Sequence, residues 1–264
     1  MPATPPTAPT NFNHLARPYR WLEYLTFGPM LERCRFHRIP QLAHARRALV
    51  LGDGDGRFLA RLLAANPTLY ADVVDQSPSM LRLLQARAAA IGAAPRIRIH
   101  QADALAFQPT SIRDVGERSE QPPEPFKEPG AKRGCLDGRS RGCLDGEPRA
   151  RLDCKSSYDL VITHFFLDCF TTEQVHALAQ NIRPHLAPNA LWIVSEFAIP
   201  PGRAALPARA VVNSLYLAFR ILTGLRTRTL PDHAAALTQN GLSLRHQQPF
   251  LAGLVISQQW QLTQ

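Results

Sequence analysis

Residues 48–59 read ALVLGDGDGRFL: an apolar run breaks into Gly52, Gly54 and Gly56, with Asp53 and Asp55 between them. A second apolar run, ADVVDQ, closes on Asp75 with Gln76 behind it. Glycines directly after a strand let backbone N–H groups approach a ligand at the N-terminus of the next helix. A carboxylate ending the following strand, 23 residues beyond Gly52, accepts from both hydroxyls of a ribose. The chemistry these residues suit is nucleoside binding, and the spacing and charge of the turn decide which nucleoside.

A dinucleotide fingerprint is G-x-G-x-x-G, its third glycine allowing close helix–strand packing beneath a pyrophosphate. Here the spacing is G-x-G-x-G and Arg57 takes the third position. Two aspartates in the turn would also repel a pyrophosphate. They suit a ligand carrying an ammonium and a sulfonium, while the turn's N–H groups hold its carboxylate. An adenosine bearing a zwitterionic amino acid and a positive sulfur, S-adenosylmethionine, satisfies all of these. Other candidate cofactor contacts stand where further strands end: Asp103 and Ala104 after IRIHQ, and Thr163 in YDLVITHFF. Asp103 would accept from the adenine amine; as a plain turn residue it would instead cap the next backbone N–H. An ordinary glycine turn is the competing reading for the whole motif.

These pieces together resemble class I S-adenosylmethionine-dependent methyltransferases, from about Ala48 to the C-terminus without the segment 109–157. LVLGDGDGRFL is similar to the family's glycine motif, VVDQSPSML to its ribose-acid motif, HQADALAF to its adenine-contacting Asp-Ala pair and YDLVITHFFLDCF to its fourth motif. The resemblance implies a seven-strand sheet whose last strand is antiparallel, with Tyr19 closing over the methionine moiety. It departs at Val50, two places before the first glycine, where many members carry an acid; Asp53 would then face the methionine end. Methyl transfer is an in-line displacement and demands positioning, with a base only where the acceptor loses a proton. His164 is the base candidate by position and ordinary pKa, Asp168 its possible orienter, and a site-lining histidine the alternative.

The elements that must carry these groups follow from periodicity. Residues 12–39 place Leu15, Tyr19, Leu22, Leu25, Met30, Leu31 and Phe36 at helical spacing, split by Gly28-Pro29 into a two-helix cap. Strands are expected at 48–51, 70–75, 97–103, 158–166 and 190–197, with helices over 57–65, 78–91 and 172–186. That alternation calls for an α/β, Rossmann-like doubly wound sheet, mostly parallel. Two closing strands, 242–248 and 253–260, are joined by PFLAG, too short for a crossover, so they pair antiparallel. Residues 1–11 read as a disordered Pro/Thr tail. Residues 109–157 lack apolar periodicity and repeat RGCLDG at 133–138 and 141–146, which predicts a disordered insertion within one domain. Its Cys135, Cys143 and Cys154 have no short C-x-x-C spacing and no neighbouring histidine, so no metal is expected.

Composition bounds the function classes. With 45% hydrophobic and 19% charged residues among 264, the chain reads as globular and lacks a stretch of ~20 apolar residues for a membrane span. The beginning has neither a basic nor an apolar signal region, so a cytoplasmic location with reduced cysteines is expected. The net charge of +9 admits nucleic acid or an anionic membrane surface as partner, yet no Lys/Arg block is present. The segment 203–230 joins an apolar helix to Arg220, Arg226 and Arg228, which suits a small, lipophilic or lipid-like acceptor with an anionic head. An RNA or protein methyltransferase, and a non-catalytic S-adenosylmethionine-binding protein, are the alternatives; THFF stands where an N-P-P-Y-type motif would argue for amino-group methylation of bases or glutamine.

Overall fold

The computed structural model describes residues 29–109, 157–223, 227 and 229–263, with only the backbone of 219 and 221–223. The tail, cap residues 12–28 with Tyr19, the interior of the insertion, and Arg226 and Arg228 lie outside the described residues.

Seven strands form one sheet in the order β3-β2-β1-β4-β5-β7-β6: β1 Arg47–Leu51, β2 Tyr70–Asp75, β3 Ile97–Gln101, β4 Tyr158–His164, β5 Leu186–Phe197, β6 Leu242–Phe250 and β7 Val255–Leu262. The first five are parallel, and β7 runs antiparallel to both β5 and β6. This is the expected seven-strand, doubly wound architecture with an antiparallel last strand. Two expected strands end early. Phe165 takes a positive φ of 51°, which stops β4 at His164, and Asp103 starts a tight turn after β3.

Alternation of side chains across the sheet sorts the apolar residues into two layers. Leu49, Leu51, Val161, Trp192, Val194 and Trp260 pack beneath helices α4 (Thr172–Ile182) and α6 (His233–Gln239). Ala48, Val50, Val73, Leu160, Ile162 and Ile193 pack beneath α2 (Arg57–Ala65) and α3 (Pro78–Ala90). Val50 is wholly buried in the second layer; an acid there would be an uncompensated charge among Phe58, Leu59 and Ile162. A third cluster joins α1 (Met30–Phe36) to α5 (Ala205–Thr223) through Leu31, Cys34, Phe197, Val212, Tyr216 and Val255. Helix α1 begins directly after Gly28-Pro29, as the breaker pair predicts, and runs only seven residues.

The end of the sheet opposite the glycine turn is tied by charge. Buried Asp72 accepts from Arg47 Nη2 at 3.0 Å, from Arg98, from His100 Nε2 at 3.0 Å and from Tyr158 Oη at 2.9 Å. Burial alone would raise its pKa, but the bonds from His100, Arg98 and Arg47 outweigh it and hold the carboxyl well below its ordinary range. Asp159 adds a clamp, accepting from the backbone N–H of Arg46 and Arg47 at 2.7 and 2.9 Å.

Candidate functional site

The carboxyl ends of β1, β2 and β3 are stitched together by backbone bonds. Gly52 N–H donates to Val74 O at 3.0 Å, and Ala102 N–H to Asp75 O at 3.2 Å. This brings Gly52–Gly56, Asp75, Gln76 and Asp103 to one edge of the sheet, the place where ligands bind in open α/β sheets. All three glycines have positive φ. An added Cβ at Gly52 would overlap the Phe166 ring, whereas Gly54 has nothing within 4 Å of its Cβ position and faces open space.

Asp75 is held at this edge by the N–H of Ser77, which it accepts at 2.8 Å. Burial pushes its carboxyl up to about 6, against the backbone N–H groups of Ser77, Gly54 and Gln76, which pull the other way.

The two turn aspartates have different environments. Asp53 accepts from Leu59 N–H at 3.0 Å, capping α2, and burial pushes its carboxyl up to about 7. Asp55 is paired: Arg57 Nε lies 3.0 Å from Oδ1, Arg87 Nη2 lies 2.8 Å from Oδ2, and Arg87 Nε also donates to the Asp55 carbonyl at 2.9 Å. The expectation that both aspartates offer negative charge to a ligand is therefore corrected for Asp55, whose charge joins α2 to α3.

Asp103 is exposed, and its Oδ1 accepts from Leu105 N–H at 3.0 Å, the turn-capping role. Ala104 is buried in the core with Phe107. Thr163 has no exposed surface, and its Oγ1 accepts from Trp192 Nε1 at 3.0 Å. Its side chain belongs to the layer beneath α4, so the structure does not bring the hydroxyl to the cofactor edge. His164 points to the opposite layer, with its ring centroid 4.3 Å from that of Phe58. It is 4% exposed, and burial, then the charge of Arg35, pushes its pKa down to about 3. That corrects its reading as a base with an ordinary pKa: the imidazole is neutral and weakly basic. Strand parity explains both cases, since ligand-facing residues lie beyond the strand end.

Glu196 ends β5 at the edge of the sheet where ligands bind, a position legible in the sequence although its partners are not. Its Oε1 accepts from the N–H of Phe166 at 3.0 Å and of Leu167 at 2.8 Å, while buried Oε2 has no bond partner. Burial and then the charge of Asp168 push Glu196 well above the usual carboxylate range, and burial moves Asp168 up to about 6. Tyr216 Oη donates to the Asp168 carbonyl at 2.9 Å, and Thr227 Oγ1 to the Cys169 carbonyl at 2.8 Å. The signal in the sequence was an acid closing the otherwise apolar run ALWIVS. Phe165, Phe197 and Tyr216 lie in the α1–α5 cluster next to this pair.

No family model matches the sequence, and no curated relative matches it. Solved structures do. An O-methyltransferase family protein from Burkholderia thailandensis superposes with a TM-score of 0.59 at 12% identity, over 94% of this chain and 59% of that one. The mitomycin 7-O-methyltransferase MmcR gives a TM-score of 0.59 at 18% identity, over 96% and 61%. The N-methyltransferase NodS from Bradyrhizobium japonicum WM9, in complex with S-adenosyl-L-homocysteine, gives 0.52 at 13%, over 89% and 88%. This chain thus spans about six-tenths of the length of the first two. The fold is that of the class I S-adenosylmethionine-dependent methyltransferases.

Proposed function

We propose that this protein transfers the methyl group of S-adenosylmethionine to a small acceptor. The observation that carries the reading is Asp75, its carboxylate fixed beside the open face of Gly54 in the glycine turn. The cofactor supplies an electrophilic methyl on a positive sulfur. Asp75 binds the ribose hydroxyls, Gly52, Asp53, Gly54 and Gly56 shape the turn that takes the amino-acid end, and Gln76 and Asp103 flank the base. The Phe166 ring lies against Gly52 and fills the space a side chain there would take.

On the acceptor side, Asp168 takes the proton an acceptor hydroxyl or amine gives up, and Glu196, whose Oε2 has no partner, stands beside it. Phe165, Phe197 and Tyr216 supply the apolar and aromatic surface that favours a lipophilic acceptor. Tyr19 as a lid belongs to the same proposal. Among the described residues no helix is long and apolar enough to cross a membrane.

Titration calorimetry with S-adenosylmethionine tests the reading. Asp75→Ala is expected to weaken binding about 10–100-fold, the loss of hydrogen bonds to a charged group. Binding to the unaltered protein should also weaken as pH falls through about 6, because the ribose site needs the ionised carboxylate. The limit is about tenfold per pH unit, and Asp75→Asn should abolish that slope. Absence of binding at any pH would remove the proposal.

The acceptor-side reading predicts a rate that rises with pH through about 6 as Asp168 ionises. Asp168→Asn should lower kcat by about 10²–10⁴ and erase this limb, whereas His164→Asn should leave its midpoint in place. A midpoint that moves with His164 instead would reassign the base.

A further inference from the structure

Among the described residues seven buried polar side-chain atoms lack a hydrogen-bond partner, and five of them lie in one place: Arg38 Nε, both ring nitrogens of His164, Ser195 Oγ and Ser257 Oγ. Strand register explains the grouping. His164 in β4 pairs with Ser195 in β5, and Ser195 pairs with Ser257 in β7. Paired residues project from the same face of a sheet, so the three form a transverse row at strand spacing, about 4.8 Å apart. None bonds another. The row faces the α1 side, where Val255 and Gln259 of β7 also point.

Helix α1 and the turn after it roof the row. Burial pushes the Cys34 thiol up to about 12, outweighing the Ser195 hydroxyl, which reaches the sulfur and lowers its pKa, so the thiol is neutral. Arg38, one helical turn on from Cys34, donates from Nη1 to Gln259 Oε1 and from Nη2 to the Ser257 carbonyl, both at 3.3 Å. Both acceptors are uncharged. Arg38 is 5% exposed and pairs with no carboxylate among the described residues. The nearest acid along β5, Glu196, alternates to the other face and is spent on Phe166 and Leu167. Arg35 adds positive potential at His164.

A buried guanidinium without a counter-ion is costly, and so is each buried donor without an acceptor. The row offers an Arg38 N–H, two hydroxyl protons and one N–H of a neutral imidazole, and no negative charge. Water would answer the hydrogen bonds but not the charge. We propose that the row beneath α1 is a binding site for a small monovalent anion, a halide or a small carboxylate. Arg38 is its cation; Ser195 and Ser257 are its donors, with His164 at the end of the row beside Ser195. The site lies on the sheet face under α1, apart from the glycine turn, and does not depend on the methyl-transfer reading.

Crystals of the full chain grown in sodium bromide, with data at the bromine absorption edge, test this directly. The expected result is an anomalous peak between Arg38 Nε and the Ser195 and Ser257 hydroxyls. In solution, replacing gluconate by bromide or by formate at constant ionic strength should raise the Tm by about 2–4 °C. A response to formate alone assigns the site to carboxylates, and a response to bromide with the peak assigns it to halides. Arg38→Met should abolish the response while melting no lower in gluconate, since an apolar replacement of a buried charge is tolerated. Should that variant fail to fold, Ser195→Ala with Ser257→Ala should weaken the response at least tenfold in anion concentration. Ordered water alone in the row, with no Tm response to either anion, overturns the proposal.

Discussion

Gly56→Ala is expected to lower stability by about 2–5 kcal/mol, summing the cost of a left-handed residue with that of overpacking. Gly56 holds φ 79° at the start of α2. A Cβ there would stand 2.8 Å from the Leu84 Cα and 2.6 Å from its Cγ. Because the obstacle includes the α3 backbone, rotamer change cannot relieve it; α2 and α3 would have to separate. Gly54→Ala is the informative comparison. It shares the positive φ, at 59°, but its Cβ meets nothing within 4 Å, so only the conformational cost of about 1–2 kcal/mol remains. Its side chain would enter the space assigned to the cofactor, so its loss should show in S-adenosylmethionine affinity. Urea unfolding and calorimetry on both variants separate the two effects. Equal destabilisation by the two would contradict the packing argument.

Asp72→Ala is expected to cost about 3–5 kcal/mol, the usual result of removing one partner from a buried charged network. The carboxylate stands between Arg47, Arg98, His100 and Tyr158, and its removal leaves two guanidinium groups facing each other. The pH dependence has a definite sign. The folded carboxyl lies below its unfolded value, so its contribution is complete above about pH 4 and is lost as pH falls through the folded pKa. Acid unfolding of the unaltered protein should include this limb, and the variant should lack it. Cofactor binding by Asp72→Ala, measured where the variant is still folded, should be unchanged, because the network lies at the far end of the sheet. A variant of native stability would show that the network is marginal.

What could be read from the sequence was local. The glycine turn, Asp75 at the end of β2 and the short PFLAG connection each combine neighbours in the chain, and the fold follows from their alternation. What could not be read depends on pairings across the chain. Asp55 looked free because its partner Arg87 lies on the next helix. Asp72 looked like one more residue of an apolar strand, although four side chains from β1, β3 and β4 converge on it. Thr163 and His164 looked like site residues because both end a strand. Their opposite faces, one under Trp192 and one under Phe58, are set by parity and by where Phe165 breaks the strand. Glu196 could be placed at a strand end, but its partners could not: Phe166 and Leu167 lie 30 and 29 residues away in the chain.

The insertion of β7 between β5 and β6 carries a consequence for how the chain is made. Strand β5 is apolar through ALWIV, and its open side is covered only by residues 255–262. During synthesis from the N-terminus, the first five strands can pair while that edge still awaits its neighbour. An uncovered apolar edge recruits other chains. The interval before Val255–Leu262 leaves the ribosome is therefore the stage at which nascent chains should be most prone to associate, and at which a chaperone would protect this protein most.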